Sequence, residues 1–180
     1  MKIKAVAFII TGLIFLWSCG NKSGLSDFTN EGNAVVQQED GSLVLDIDRA
    51  ACYNDESNPA SNTAEWKVMI SKPGRFKVWL ASATKDTTDL SYVNSVKVSL
   101  LDSFLEVDPV CDKVVRDSDE VSFPWFRADS YMGSFYVSEP GVYNVQVISE
   151  KILPSEAMNQ LPASAIDTKL MSLLLTPMTR

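Results

Sequence analysis

The sequence predicts an all-β protein, an antiparallel β-sandwich of jelly-roll type. Three observations carry this: short runs in which apolar and polar residues alternate, turn signals between those runs, and almost no stretch with helical periodicity. Strands patterned in this way are apolar on one face and need a second sheet to bury it against.

Leu43, Leu45 and Ile47 alternate with Val44 and Asp46, giving the first strand. Asn54 to Thr63, rich in Asn, Ser and Asp and broken by a proline, is a loop by composition. Trp66, Val68 and Ile70 then alternate with Lys67, Met69 and Ser71, and Phe76, Val78 and Leu80 share one face of the next run. Lys72-Pro73-Gly74 lies between these two strands; proline presets φ at the second position of a tight turn and glycine accepts a positive φ at the third, which predicts a hairpin. The device recurs where Phe135 and Val137 lead into Glu139-Pro140-Gly141 and out through Tyr143, Val145 and Val147. Two similar hairpins are therefore expected, one in each half of the sheet system. Val96, Val98 and Leu100 make a further strand and Met171, Leu173 and Leu175 a closing one, while only Ser155 to Leu161 reads as helix.

The N-terminus follows a different grammar. Lys2 and Lys4 precede an apolar run from Ala5 to Trp17, shorter than the roughly twenty residues a membrane-spanning helix needs. The run ends at Leu16-Trp17-Ser18-Cys19, which resembles the bacterial lipobox, and Gly20-Asn21-Lys22-Ser23-Gly24 follows as a flexible polar tether. The resemblance implies a lipoprotein signal peptide over residues 1–18, acylation (palmitate or a similar chain) of Cys19 as the first mature residue, a lipidated tether over 19–33 and a sandwich domain over 34–180. An ordinary secretory signal or an uncleaved anchor is the alternative. Gly20-Asn21 after Cys19 lacks the Asp that resembles an inner-membrane retention signal in some bacteria, so what the resemblance implies is an outer-membrane, lipid-anchored location in the cell envelope.

Removing Lys2 and Lys4 from the 16 basic residues leaves 14 against 23 acidic ones, a net charge of −9. Such a surface is a poor partner for nucleic acid and for anionic headgroups, so the membrane contact is expected from the acyl chains. With Cys19 lipidated, Cys52 and Cys111 form an even pair in an oxidising compartment; a disulfide between them is permitted, and two separate buried thiols are the other reading. The chain has no histidine, which removes Ser-His-Asp and Cys-His chemistry and leaves no zinc ligand cluster. A paired-carboxylate glycosidase stays chemically open, but spacing singles out no pair, and the expectation is a protein that binds and is not an enzyme.

Ala64-Glu65-Trp66-Lys67-Val68, followed by Lys72-Pro73-Gly74-Arg75-Phe76-Lys77-Val78-Trp79-Leu80, resembles the central hairpin of jelly-roll carbohydrate-binding modules. Gly133 to Val147 with Leu173-Leu174-Leu175-Thr176-Pro177 is similar to the end of such modules and of the β-sandwich domain appended to some bacterial fucosidases. The resemblance implies glycan capture at the cell envelope. It also implies a structural calcium held by Asp46 and Asp48 of Leu45-Asp46-Ile47-Asp48, completed by an acid on the last strand. That strand offers Met171 or Ser172 there, with Asp167 earlier; the other reading makes Asp46 and Asp48 solvent-facing strand residues, with no cofactor.

Sugar binding needs flat aromatic faces beside groups that hydrogen-bond hydroxyls. The run from Asp117 to Tyr131 has acids, an arginine and four aromatics in an expected loop, which makes Trp125, Arg127, Asp129 and Tyr131 the ligand-binding candidates, with Tyr53 and Asn54 as neighbours from the earlier loop. The competing reading has Trp125 and Phe126 plug one end of the sandwich. Trp79, opposite in parity to Phe76, Val78 and Leu80, either packs beneath a covering strand, the preferred reading, or lies on an open sheet face. The alternative to sugar capture is an assembly lipoprotein that binds another envelope protein through a sheet edge.

Overall fold

A computed structural model describes residues 34–153 and 166–178. The signal peptide, Cys19, the tether to residue 33 and the helix expected over 155–161 lie outside them. The strands are β1 (Val35–Val36), β2 (Leu43–Asp46), β3 (Ala51–Tyr53), β4 (Thr63–Ile70), β5 (Gly74–Thr84), β6 (Val96–Leu100), β7 (Ser103–Val107), β8 (Lys113–Val115), β9 (Phe126–Val137), β10 (Gly141–Ile148) and β11 (Thr168–Pro177). A six-stranded sheet runs β1-β4-β10-β6-β7, with β3 also paired to β4; a five-stranded sheet runs β2-β11-β5-β9-β8. All pairs are antiparallel except β1 with β4.

The alternating residues supply the core. Trp66, Val68, Ile70, Val96, Val98, Leu100, Val145 and Val147 face inward from the first sheet, and Leu43, Leu45, Phe76, Val78, Leu80, Phe135, Val137, Leu173 and Leu175 meet them from the second. Each such aliphatic or aromatic side chain withdrawn from water contributes roughly 1.5–3 kcal/mol before the entropy of ordering is set against it. Trp66 also carries a polar handle, and its Nε1 donates to the carbonyl of Asp46 at 2.8 Å, joining β4 to the end of β2.

The two Pro-Gly segments are not hairpins. β4 and β5 lie in different sheets, as do β9 and β10, so each Pro-Gly carries the chain from one sheet across to the other. β4 instead pairs along its whole length with β10, and β5 with β9; Gly141 stands opposite Ile70 and Gly74 opposite Val137, which sets the two corners side by side. Their sequence similarity reflects equivalent positions in a double ribbon folded over the core, the jelly-roll principle. Gln37 braces the first corner: its amide nitrogen donates to the Gly41 and Lys72 carbonyls at 2.7 and 3.1 Å, and its Oε1 accepts from the backbone N–H of Ser71 and Lys72 at 3.0 and 2.7 Å.

Two β-bulges, both in the second sheet, change the parity of its strands. On β9 the register slips so that Gly133 faces Val78 and Tyr131 faces Trp79, leaving Met132 extra. Phe135 and Val137 point inward beyond the bulge, and Ala128, Ser130 and Met132 point inward before it. On β11 the slip falls between Leu170 and Ser172. Met171 therefore does not share the inward face with Leu173 and Leu175; Leu170 is the buried residue on the far side of the bulge. Bulges re-aim side chains in this way wherever one strand carries an extra residue.

Candidate functional site

Because of the β9 bulge, Arg127, Asp129 and Tyr131 point outward at alternate positions of one strand. Sequence reasoning expected a loop here, but the three belong to β9. On β5, which has no bulge of its own, Arg75, Lys77, Trp79, Ala81 and Ala83 occupy the outward positions. Register then sets Trp79 beside Tyr131, Ala81 beside Asp129 and Ala83 beside Arg127, with Leu174 of β11 on the other side of Trp79 and Lys113 of β8 beyond Asp129.

The Trp79 and Tyr131 rings lie 5.1 Å apart, tilted by 54°. Trp79 is half-buried and Tyr131 is 41% exposed, so the pair forms an open aromatic platform on the sheet face and Trp79 is not packed beneath a covering strand. A groove of about 320 Å³ is lined by Trp79, Leu174, Thr176, Lys113, Arg127 and Asp129 among others. Its polar end is pre-arranged. Arg127 Nε donates to Asp129 Oδ1 at 2.9 Å and Nη1 to Glu120 Oε2 at 2.7 Å. Burial works to lower the Arg127 pKa, but the hydrogen bonds and charges of Asp129 and Glu120 outweigh it and raise the pKa, so the guanidinium stays charged and fixed in orientation. Asp112 is held by accepting the Tyr131 backbone N–H at 2.7 Å.

Trp125 precedes β9 and stands apart from the platform. Lys85 Nζ lies 4.9 Å and Lys169 Nζ 5.9 Å from its ring centroid, and Lys85 also pairs with Asp167 at 3.7 Å. These cation–π contacts pin the indole over the end of the five-stranded sheet. With Val114, Val121, Phe123 and Phe126 it lines a separate groove of about 410 Å³, whose rim residue Phe123 is 89% exposed.

Tyr53 and Asn54 are not brought to this group. Tyr53 ends β3 on the edge of the six-stranded sheet, in a groove with Asp48, Arg49, Glu65 and Lys67. Cys52 on the same strand and Cys111 before β8 are both free thiols, one at the edge of each sheet. Burial, then Asp48, raises the Cys52 pKa; burial, then Asp112 and Asp129, raises that of Cys111. Asp46 and Asp48 do not fit a calcium ion. Asp46 Oδ1 accepts the Asp48 backbone N–H at 3.1 Å, the residue across the strand pair from Asp46 is Ser172, and no group of three acidic or sulfur ligands forms a metal cluster among the described residues. Of the seven residues lining the groove, sequence reasoning named Arg127 and Asp129, weighed Trp79 but preferred it packed, and missed Lys113, Val115, Leu174 and Thr176. The signal available for them was Gly133, an isolated glycine inside a strand pattern, which marks a bulge.

No family model and no curated protein matches the sequence. Among solved structures the chain is similar to an alpha-L-fucosidase from Vibrio sp. strain EJY3, at 24% identity and a TM-score of 0.63, over 81% of this chain and 24% of that one. It therefore spans about a quarter of that protein's length. It is also similar to the mosquito-larvicidal Cry4Aa toxin of Bacillus thuringiensis, at 7% identity and a TM-score of 0.50, over 82% of this chain and 25% of that one. The GH26-CBM35 beta-(1,4)-mannanase of Podospora anserina matches more loosely, at 11% identity and a TM-score of 0.47, over 78% and 28% of the two chains. At these identities the likeness is one of fold, and the fold is the β-sandwich.

Proposed function

We propose that this chain is a cell-envelope lipoprotein, anchored through acylated Cys19 in the outer membrane, whose sandwich captures glycan on the outward face of the five-stranded sheet. The observation that carries the reading is the Trp79–Tyr131 platform, 5.1 Å between centroids and open to solvent, beside the fixed Arg127–Asp129 pair. Aromatic faces take the apolar side of a sugar ring, and oriented charged groups bind its hydroxyls. The fold likeness to a fucosidase is consistent with a carbohydrate context. The order of positive residues, apolar run and Cys19 supports the anchor.

Two measurements test the two halves of the proposal. Expression in a bacterium fed labelled palmitate is expected to label the chain, and Cys19→Ala to abolish the label. Retardation of the full chain in gels containing different glycans is expected for at least one glycan, and Trp79→Ala and Tyr131→Ala are each expected to remove it while the thermal unfolding transition stays sharp. If no glycan retards the chain, the sugar reading falls. The exposed edge of β7, which carries Phe104 at 58% exposure, favours a second reading in which another envelope protein adds a strand there. Binding of a protein partner that is lost on placing proline at Leu105 and unaffected by Trp79→Ala would favour that reading.

A further inference from the structure

Taking the glycan-capturing face as given, we propose that its ligand is an acidic glycan, one whose sugars carry carboxylate or sulfate, read by Arg75, Lys77 and Lys113 around the Trp79–Tyr131 platform. The inference begins with charge. Acids outnumber bases in this chain by 23 to 16, so a surface cation ordinarily has an acid within reach. Yet among the described residues no carboxylate forms an ion pair with Arg75, Lys77 or Lys113.

Arg75, Lys77 and Trp79 follow one another at alternate, outward positions of β5, and neighbours on one face of a strand are about 7 Å apart. Lys113 approaches from the opposite side, paired in register with Asp129 and lining the same groove as Trp79. Cations therefore flank the platform on both sides.

The acids of the same face are already engaged. Asp129 and Glu120 both receive hydrogen bonds from Arg127, and Asp112 receives one from the backbone of Tyr131. What the face offers a ligand is therefore mostly donors: the lysine ammonium groups, the guanidinium of Arg75, and the hydroxyls of Thr176 and Tyr131. A neutral sugar presents hydroxyls that both donate and accept, and it is served best by a balanced set of partners. An acidic sugar presents extra acceptor oxygens with charge, and these suit a donor-rich surface through charge-assisted hydrogen bonds.

Affinity electrophoresis of the full chain tests this with paired probes that differ only in charge. Polygalacturonate is compared with its methyl ester, and a sulfated galactan with the same galactan desulfated. The expected result is retardation by one acidic member at least tenfold stronger than by its neutral counterpart. Lys77→Gln with Lys113→Gln should weaken it by about tenfold, as loss of charge-assisted contacts does, with an unchanged melting temperature. Trp79→Ala should weaken it too. Equal retardation by the charged and neutral members would overturn the proposal and leave glycan capture standing. Retardation that survives Trp79→Ala would also overturn it, because the lysines would then be acting as a bare ion exchanger. Absence of retardation by every glycan would remove both readings.

Discussion

Across the middle of the six-stranded sheet, the outward row reads Glu65, Gln146 and Ser99, with Lys67 and Asn144 in the next. Across the middle of the five-stranded sheet the rows read Leu174, Trp79 and Tyr131, then Ser172, Ala81 and Asp129. Both faces are built from antiparallel strands whose other side fills the same core. The first carries flexible polar side chains that water solvates. The second sets the Trp79 ring, with Leu174, in a groove beside the exposed Tyr131 ring, and its ion pair is fixed before any ligand arrives. Exposed aromatics on the six-stranded sheet, Tyr53 and Phe104, stand on its edge strands, whereas Trp79 and Tyr131 adjoin each other inside the five-stranded sheet, and this contrast is the ground for the proposed binding face. The backbone separates the two faces as well: the β4–β10–β6–β7 ladders keep one register throughout, whereas both bulges flank β5.

Replacing Gly133 should have the largest effect. Its φ of +125° is a conformation that L side chains rarely adopt, and an added Cβ would lie 3.0 Å from Leu105 Cδ2. Gly133→Ala is expected to cost about 3 kcal/mol in chemical denaturation, the backbone strain adding to a clash with β7. Since this bulge turns Tyr131 outward, the variant should also lose ring contact between Tyr131 and Trp79, read as a change in near-ultraviolet circular dichroism. A cost below about 0.5 kcal/mol, the range of ordinary surface changes, would mean that the aromatic face does not depend on this glycine.

The ion pair comes next. The Arg127 and Asp129 side chains are 12% and 9% exposed, while Glu120 is 47% exposed. Asp129→Ala leaves a largely buried guanidinium with one rim partner and is expected to cost about 2 kcal/mol. Glu120→Ala removes a solvent-screened partner and should cost less than about 1 kcal/mol. Equal costs would show that the two carboxylates share the charge evenly, contrary to their burial.

The sandwich itself was legible because Phe76, Val78 and Leu80, or Trp66, Val68 and Ile70, repeat with the strand period and bury their whole set. Two things were hidden for physical reasons. Lys72-Pro73-Gly74 specifies a local reversal, but whether the flanking strands pair or part into separate sheets depends on β10 and β9, far along the chain. The inward residues of β9 include Ala128 and Ser130, whose apolar contrast with Arg127, Asp129 and Tyr131 is weak, so a strand looks like a polar loop. Two alanines, Ala81 and Ala83, occupy outward positions of β5 and are nonetheless fully buried, a cover that no local pattern announces.

The cysteines sharpen the comparison at the two sheet edges. Both thiols have pKa values raised above the ordinary 9.0, chiefly by burial, so less thiolate is present at any given pH in the folded chain than in the unfolded one. At pH 8 iodoacetamide should modify Cys52 and Cys111 more slowly in the folded state than in urea, with the rate climbing above pH 9. Failure to modify either, even in urea without reductant, would mean that the two are joined.

The smallest effect is expected on the polar face. Asn144 is exposed, and Gln146 is flanked by Glu65 and Ser99, side chains that water can replace as partners. Asn144→Ala and Gln146→Ala should each change stability by less than about 0.5 kcal/mol and leave glycan retardation untouched. Two outcomes would break the asymmetry. If Gln146→Ala abolished retardation, the ligand would lie on the six-stranded sheet and the aromatic platform would need another explanation. If it destabilised the chain as much as Asp129→Ala, the polar face would be structural in the same sense as the ion pair, and the difference between the two faces would no longer mark where the ligand binds.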